Sequence, residues 1–348
     1  MTVPTSKIAS GQQLDKIKYL RSERVLNHGR PICTGRKVCD VNPLRSLILA
    51  AAGNDVLRRA VAATPGTRGV VERFVAGETI ADAVTTAARL IDDGLHVTLD
   101  YLGEYTGDAR QTEQTVRTYL ALLDRLHEEG LAPRAEVSVK LSAVGQSLDE
   151  KLALDNARRI CEAAERCGTT VTLDMEDHHT TDSTLRVLAE LRRTWPWVGA
   201  VLQSYLRRTE ADAAALAVAD SRVRLCKGAY AAPETIAHPS PHEVDLSYVR
   251  CANLLLGGGG YPMFATHDPR LIAVLGERAR WYGRKRGGYE YQMLFGVRPD
   301  EQRRLAAGGE TVRIYVPFGE QWYGYLVRRL AERPANLTFF LRALASRS

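Results

Sequence analysis

The chain has 348 residues, 45% of them apolar and 25% charged, with 47 basic against 41 acidic side chains and a net charge of +6. That composition is ordinary for a globular protein with material for one large core or two. The basic excess is small and spread along the chain without a long single-sign block, which argues against nucleic-acid binding, and no run approaches the roughly 18 apolar residues of a membrane span.

The amino terminus, MTVPTSKIASGQQLDKIKYL, lacks the apolar core of a signal peptide, so a cytoplasmic protein is expected. Residues 1–42 are basic with no sustained apolar period and predict a poorly ordered extension. From Leu44 come four helical patterns, PLRSLILAAAG, DVLRRAVAATPG, TRGVVERFVAG and ETIADAVTTAARLIDDG, each broken by Gly or Pro. Residues 43–94 are therefore read as N-terminal helices packing on the main domain.

Beyond Gly94 the pattern changes to short β-branched runs: HVTLDYL (96–102), AEVSVKLS (135–142), TVTLDME (170–176), VGAVLQSY (198–205), VRLCKGAY (223–230), PMFATH (262–267), GYEYQMLFG (288–296) and TVRIYVPF (311–318). Segments of helical length separate them, and such alternation predicts an α/β fold with parallel strands and crossover helices. Eight units over about 240 residues fit a (β/α)8 barrel across 95–348 better than an open doubly wound sheet of roughly five to seven strands. No GxGxxG follows the first strand, and GGGG at 257–260 lies between a helix and a strand, where it reads as a helix end and loop. The cysteines Cys33, Cys39, Cys161, Cys167, Cys226 and Cys251 form no CxxC pair and have no histidines at zinc spacing, so neither a disulfide framework nor a metal site is expected.

A barrel builds its site at the C-terminal ends of its strands. There the sequence offers Lys140 after the second strand, Asp174 after the third, Gln203 after the fourth and Arg224 with Lys227-Gly228-Ala229-Tyr230 after the fifth. Thr266-His267 follows the sixth, and Tyr315 lies in the eighth. Several cations around one mouth call for a carboxylate or a phosphate. A strand-end lysine, Lys140 or Lys227, equally allows a Schiff-base lyase, and a non-catalytic barrel binding an acidic metabolite is a third reading. Spacing leaves these open. Tyr289, Tyr291 and Phe295 fall at even spacing and read as core; Trp281 and Tyr282 read as packing at a helix end, and Arg207-Arg208 as solvated surface.

Taken in order, SVKLS (138–142), TLDMED (172–177), LQSY (202–205), RLCKGAY (224–230), FATHD (264–268), EYQMLFG (290–296), RIYVPFG (313–319) and YLVRRLAERPAN (325–336) resemble the proline dehydrogenase family, from about Leu44 to Leu341. The resemblance implies a stand-alone bacterial form that oxidises L-proline to 1-pyrroline-5-carboxylate, the first step of proline catabolism, by hydride transfer to FAD. A membrane quinone is the implied electron acceptor, which adds peripheral contact with the inner face of the membrane as an open expectation. On this likeness Asp174 and Arg224 take catalytic positions, while Lys140, Arg328 and Arg329 hold the substrate carboxylate. Tyr315, Tyr325 and Leu294 wall the proline ring. Met175, Gln203, Lys227, Gly228, Ala229, Tyr230, Thr266, His267 and Glu332 take flavin-side positions. A dehydrogenase for hydroxyproline or another cyclic amino acid is the nearest alternative.

Helical spacing puts Tyr325, Arg328, Arg329 and Glu332 on one face of the last barrel helix. In a regular barrel that helix runs down the outside, leaving Arg328 about 12 Å below the mouth. The resemblance instead implies a helix lying over the C-terminal mouth, with an earlier helix in the vacated lateral seat.

Overall fold

A computed structural model of the chain describes residues 71–103 and 108–326. The expected extension at 1–42, the first two N-terminal helical patterns, and Arg328, Arg329 and Glu332 lie outside the described residues.

Helix α1 (Ile80–Asp92) opens with a reciprocal cap: the Thr79 hydroxyl accepts from the Asp82 amide, and the Asp82 carboxylate accepts from the Thr79 amide. Eight strands follow: β1 (His96–Tyr101), β2 (Ala135–Val139), β3 (Val171–Leu173), β4 (Gly199–Gln203), β5 (Arg222–Cys226), β6 (Tyr261–Ala265), β7 (Glu290–Leu294) and β8 (Val312–Phe318). They pair in parallel in sequence order, and β8 closes onto β1 from His96↔Arg313 to Tyr101↔Phe318. The protein is a (β/α)8 barrel. Connecting the strands are α2 (Ala109–Glu128), α3 (Glu150–Cys167), α4 (Thr181–Arg192), α5 (Thr209–Leu216), α6 (Pro241–Gly257), α7 (Pro269–Trp281) and α8 (Pro299–Ala307). Helix α2 buries Val116, Tyr119, Leu122, Leu123 and Leu126 against the barrel, and β2 and β4 are buried along their whole length, as strands covered on both faces must be.

Seven connecting helices leave one lateral seat, and α1 fills it. It packs against β8, β1 and α2, and the segment leading into it is laced to the end of β8 by Ala76 N to Pro317 O and Gly319 N to Gly77 O, both 2.9 Å. After β8 the chain turns at Gly319, whose φ of +119° favours glycine, and residues 322–326 are helical. Trp322, Tyr323, Tyr325 and Leu326 are buried there with Phe74, Val75 and Leu102, the last of which follows β1. The helix after β8 therefore starts over the C-terminal end of the barrel, as the resemblance implied.

The strands are shorter than the runs that predicted them. Strand β3 keeps three residues and β7 five, because the chain leaves the sheet where it enters the mouth. Lys140 precedes a 3-10 turn (Leu141–Val144) and Asp177 caps another (His178–Thr180). The glycine run ends α6 through Gly258 N to Leu254 O, and a side chain at Gly258 or Gly260 would strike the carbonyls of Ala217 or Ser221, so close packing explains it. Tyr289, Tyr291 and Phe295 are core, and Arg208 pairs at the surface with Asp182 and Asp212. Trp281 corrects the sequence reading. It is 78% exposed, because the buried stripe of α7 runs through Leu271, Ile272, Leu275 and Ala279 on the other side. Of the cysteines, Cys161, Cys167, Cys226 and Cys251 are free thiols.

Inside the barrel, ion pairs stand where aliphatic layers are usual. Glu136 on β2 accepts from Thr98 Oγ1 (2.8 Å), Thr170 Oγ1 (2.7 Å) and Arg222 Nη2 (2.6 Å), with Arg224 and Arg313 at 3.7 and 3.8 Å. Glu290 accepts from Arg313 Nε at 2.8 Å. Burial alone would raise the Glu136 pKa, but Arg222, Arg313 and Arg224 more than offset it and hold the carboxyl well below the usual range. Replacing Glu136 by Gln leaves three guanidinium groups without their common anion. The expected loss is about 3–5 kcal/mol of stability, read as a lower urea midpoint at unchanged slope.

Candidate active site

A cleft of about 770 Å³ opens at the C-terminal ends of the strands. Every described residue picked from the sequence lines it: Lys140, Asp174, Met175, Gln203, Arg224, Lys227, Gly228, Ala229, Tyr230, Thr266, His267, Leu294, Tyr315 and Tyr325. They come from the ends of β2 through β8, and Tyr325 reaches in from the helix that follows β8.

Asp174 is the hub. Its amide donates to Val139 O at 2.9 Å, which fixes it one residue past β3. Oδ1 accepts from Arg224 Nη1 and Ser138 Oγ, and Oδ2 from Tyr315 OH, each at 2.7 Å. Burial would raise its pKa, yet Arg224, Lys140, Tyr315 and Ser138 together lower it, so the carboxylate is ionised at neutral pH. Arg224 is fixed from the other side too: Nε donates to Gln292 Oε1, and Gln292 Nε2 donates to Glu290 Oε1 at 2.6 Å. Its guanidinium lies 5.3 Å from the centre of the Tyr315 ring. Burial raises the Tyr315 pKa far above 10, with Asp100 and Asp174 adding to the effect, so the phenol keeps its proton and donates.

Lys140 Nζ donates to both oxygens of Asp100, at 2.7 and 2.6 Å, and lies 3.4 Å from Tyr315 OH. Sequence reasoning missed Asp100. The signal was present: TLD occurs at 98–100 and again at 172–174, and the strand-end rule that selected Asp174 also selects Asp100. Ser138 and Gln292 were missed as well, because they act by holding other site residues.

The opposite wall is built from β4 to β7. Gln203 Nε2 donates to Glu176 O at 2.7 Å, while its Oε1 is buried without a hydrogen-bond partner among the described residues. Gly228 has φ +93°, and a side chain there would collide with the Tyr205 ring and crowd Gln203. Lys227 Nζ meets Asp245 at 2.5 Å and Asp268 at 3.5 Å, away from the Asp174 hub. Thr266 Oγ1 accepts from the Asp268 amide at 3.1 Å, His267 Nε2 accepts from the Leu294 amide at 2.8 Å, and Asp268 caps α7. Asp177, His178 and His179 bring ligand-type atoms within 4.8 Å of one another. Asp177 caps the turn and the two rings stack at 3.8 Å, so local turn geometry accounts for the group.

Gly228→Ala is expected to destabilise the protein by about 1–3 kcal/mol through overpacking against Tyr205, with a further penalty from its backbone angle. Thermal unfolding checks this; an unchanged midpoint would mean that the loop moves freely.

The family profile for proline dehydrogenase matches residues 83–342. Proline dehydrogenase 1 of Bacillus subtilis is 36% identical over 301 residues, covering 86% of this chain and 99% of that one. The proline dehydrogenase of Deinococcus radiodurans is 40% identical over 280 residues, 79% of this chain and 90% of its own. Among solved structures, proline utilization A from Bdellovibrio bacteriovorus, inactivated by N-propargylglycine, superimposes with a TM-score of 0.71 at 26% identity. That match covers 76% of this chain and 32% of the larger protein, so the chain spans about a third of its length.

Proposed function

Since the chain belongs to the proline dehydrogenase family, we propose that it oxidises L-proline to 1-pyrroline-5-carboxylate with FAD, and that a quinone takes up the electrons. The observation that carries this reading is the buried Asp174–Arg224–Tyr315 cluster with Lys140 beside it, set in a cleft much larger than a proline requires.

The residues present suit a flavin. The orphaned Oε1 of Gln203 offers an acceptor to an N–H of a planar ring, and the tight backbone at Gly228 leaves a flat wall beside it. Met175, Lys227, Ala229, Tyr230, Thr266 and His267 would complete that side, with Glu332, which lies outside the described residues. When bound, FAD would supply the acceptor for the hydride on the ring carbon next to nitrogen. The chain's own groups do the rest. Lys140, with Arg328 and Arg329 beyond the described residues, would take the carboxylate and so orient the ring. Leu294, Tyr315 and Tyr325 would wall the ring and exclude water. Arg224, held on both sides, presents a fixed positive charge to the reacting centre, and Asp174 keeps Arg224 and the Tyr315 hydroxyl aimed.

A Schiff-base lyase finds no support in the lysines. Each is paired with a carboxylate, Lys140 Nζ with Asp100 at 2.6 Å and Lys227 Nζ with Asp245 at 2.5 Å, and neither stands alone in an apolar pocket as an activated amine would. Among the described residues no helix is long and apolar enough to cross a membrane. Cytoplasmic placement with peripheral contact at the inner face of the membrane, where the quinone would be met, belongs to the same proposal.

Purified protein reconstituted with FAD is expected to be yellow and to bleach on anaerobic addition of L-proline; folded protein that takes up no FAD would sink this reading. Arg224→Lys removes the planar fork and is expected to lower kcat/KM by about 10²–10³-fold. On this reading the Tyr315 ring would fill the space of a 4-hydroxyl, so proline is expected to outrun hydroxyproline, with the ratio narrowing in Tyr315→Ser.

A further inference from the structure

Two of the side chains assigned to the ring wall, Leu294 and Tyr325, stand on segments that meet one stretch of chain outside the barrel, residues 73–78. On the Leu294 side, the turn after β7 carries Gly296 at φ +73°, where a side chain would strike Arg73 O. Arg73 Nε donates to Gly296 O at 3.3 Å. On the Tyr325 side, Phe74 and Val75 are buried with Trp322, Tyr325 and Leu326 in a small cluster of their own, separate from the barrel core, and Val297 packs against it. A hydrogen bond gives this apolar contact a direction: Trp322 Nε1 donates to Glu78 Oε1 at 2.9 Å, across 244 residues of chain.

Glu78 is a firm anchor. Gly77 before it takes φ +128° with its backbone tight against Asp82, and Thr79 after it is tied to Asp82 by the reciprocal cap of α1. Ala76 and Gly77 are bonded in turn to the end of β8. The backbone on both sides of Glu78 is thus fixed, while its side chain is exposed and takes no part in the cap. Trp322 is only 7% exposed and stands three residues before Tyr325, on the same face of the helix. Apolar packing alone lets a helix start roll about its axis; a bonded indole N–H does not.

We propose that Glu78 and Trp322 are positioning residues for the substrate: their hydrogen bond latches the helix after β8 onto the segment ahead of α1, and so holds the Tyr325 ring at its distance from Leu294. The inference rests on the proline reading. Neither residue lines the cleft, so both act through Tyr325. A loosened helix start widens the slot for the ring in the bound substrate and in the transition state alike, so the loss falls on KM and not on kcat.

The test compares Glu78→Ala, Glu78→Gln, Trp322→Phe and Glu78→Ala in the Trp322→Phe background, all as FAD-loaded protein. Glu78→Ala is expected to raise KM for L-proline about 3–10-fold, the range of one net hydrogen bond, at nearly unchanged kcat. Glu78→Gln keeps an oxygen acceptor in place and is expected to match wild type. If the charge of Glu78 at the start of α1 were what mattered, Gln and Ala would fail equally, and that pattern overturns the proposal. In the Trp322→Phe background Glu78→Ala is expected to add nothing; additive effects overturn it as well. The bond itself is read without substrate from the Trp322 indole N–H signal in nitrogen-15 spectra, identified by its loss in Trp322→Phe. Faster exchange with water and an upfield shift in Glu78→Ala, but not in Glu78→Gln, support the latch, and an unmoved signal overturns it. Should Trp322→Phe fail to fold, Glu78→Ala against Glu78→Gln decides alone. If wild type oxidises no proline, the substrate reading falls and this inference with it; if it does and KM stays put in Glu78→Ala, the inference alone is removed.

Discussion

The structure turns on one buried carboxylate, Glu136, and the three arginines around it. A barrel interior must be filled, and here β2, β5, β7 and β8 fill it with charge. Such a cluster is tolerable only when each guanidinium has an anion and the remaining lone pairs are satisfied, which Thr98, Thr170 and Thr172 do for Glu136. Its value is geometric. Arg224 belongs to the cluster from below, through Glu136 and the Gln292–Glu290 relay, and to the site from above, through Asp174. A guanidinium gripped at both ends does not reorganise when charge develops beside it, and that is what electrostatic catalysis asks of a donor.

The mouth above follows the same economy of charge. Asp100 with Lys140 and Asp174 with Arg224 make two acids and two bases, joined by the Tyr315 hydroxyl, which donates to Asp174 and lies beside Lys140. Across the cleft from this set, Gln203 and Gly228 present an amide and bare backbone, beside the Lys227–Asp245 pair.

Much of this was legible in the sequence. Eight β-branched runs separated by amphipathic segments have few folds open to them, and the rule that a barrel works at its strand ends selected Lys140, Asp174, Arg224 and Tyr315, which the structure brings to one cleft. Strand lengths were not legible, because the same β-branched residues continue past the last ladder bond into the mouth, as TVTLDME does beyond Leu173. Asp100 escaped because an acid within HVTLDYL reads as a member of the strand until its partner Lys140 is known to lie across β1 and β2. Trp281 misled because a large apolar residue at a helix end is usually covered. The seat of α1 came only from family likeness: helical periodicity shows which face of a helix is apolar, not which neighbour it will meet.

That seat has a consequence for how the chain assembles. Helix α1 precedes every strand in the sequence, yet its partners are β1 and the final strand β8, to which Ala76 and Gly77 are bonded across more than 240 residues of chain. Contacts of such long separation form late and slowly. During synthesis on the ribosome α1 is among the first described pieces to emerge, with its apolar stripe of Ala83, Val84, Ala87 and Leu90 lacking its β8 partner until the last strand arrives. The last wall of the barrel is thus supplied by one of its earliest parts, and a chaperone that shields a single amphipathic helix would guard the step on which closure waits.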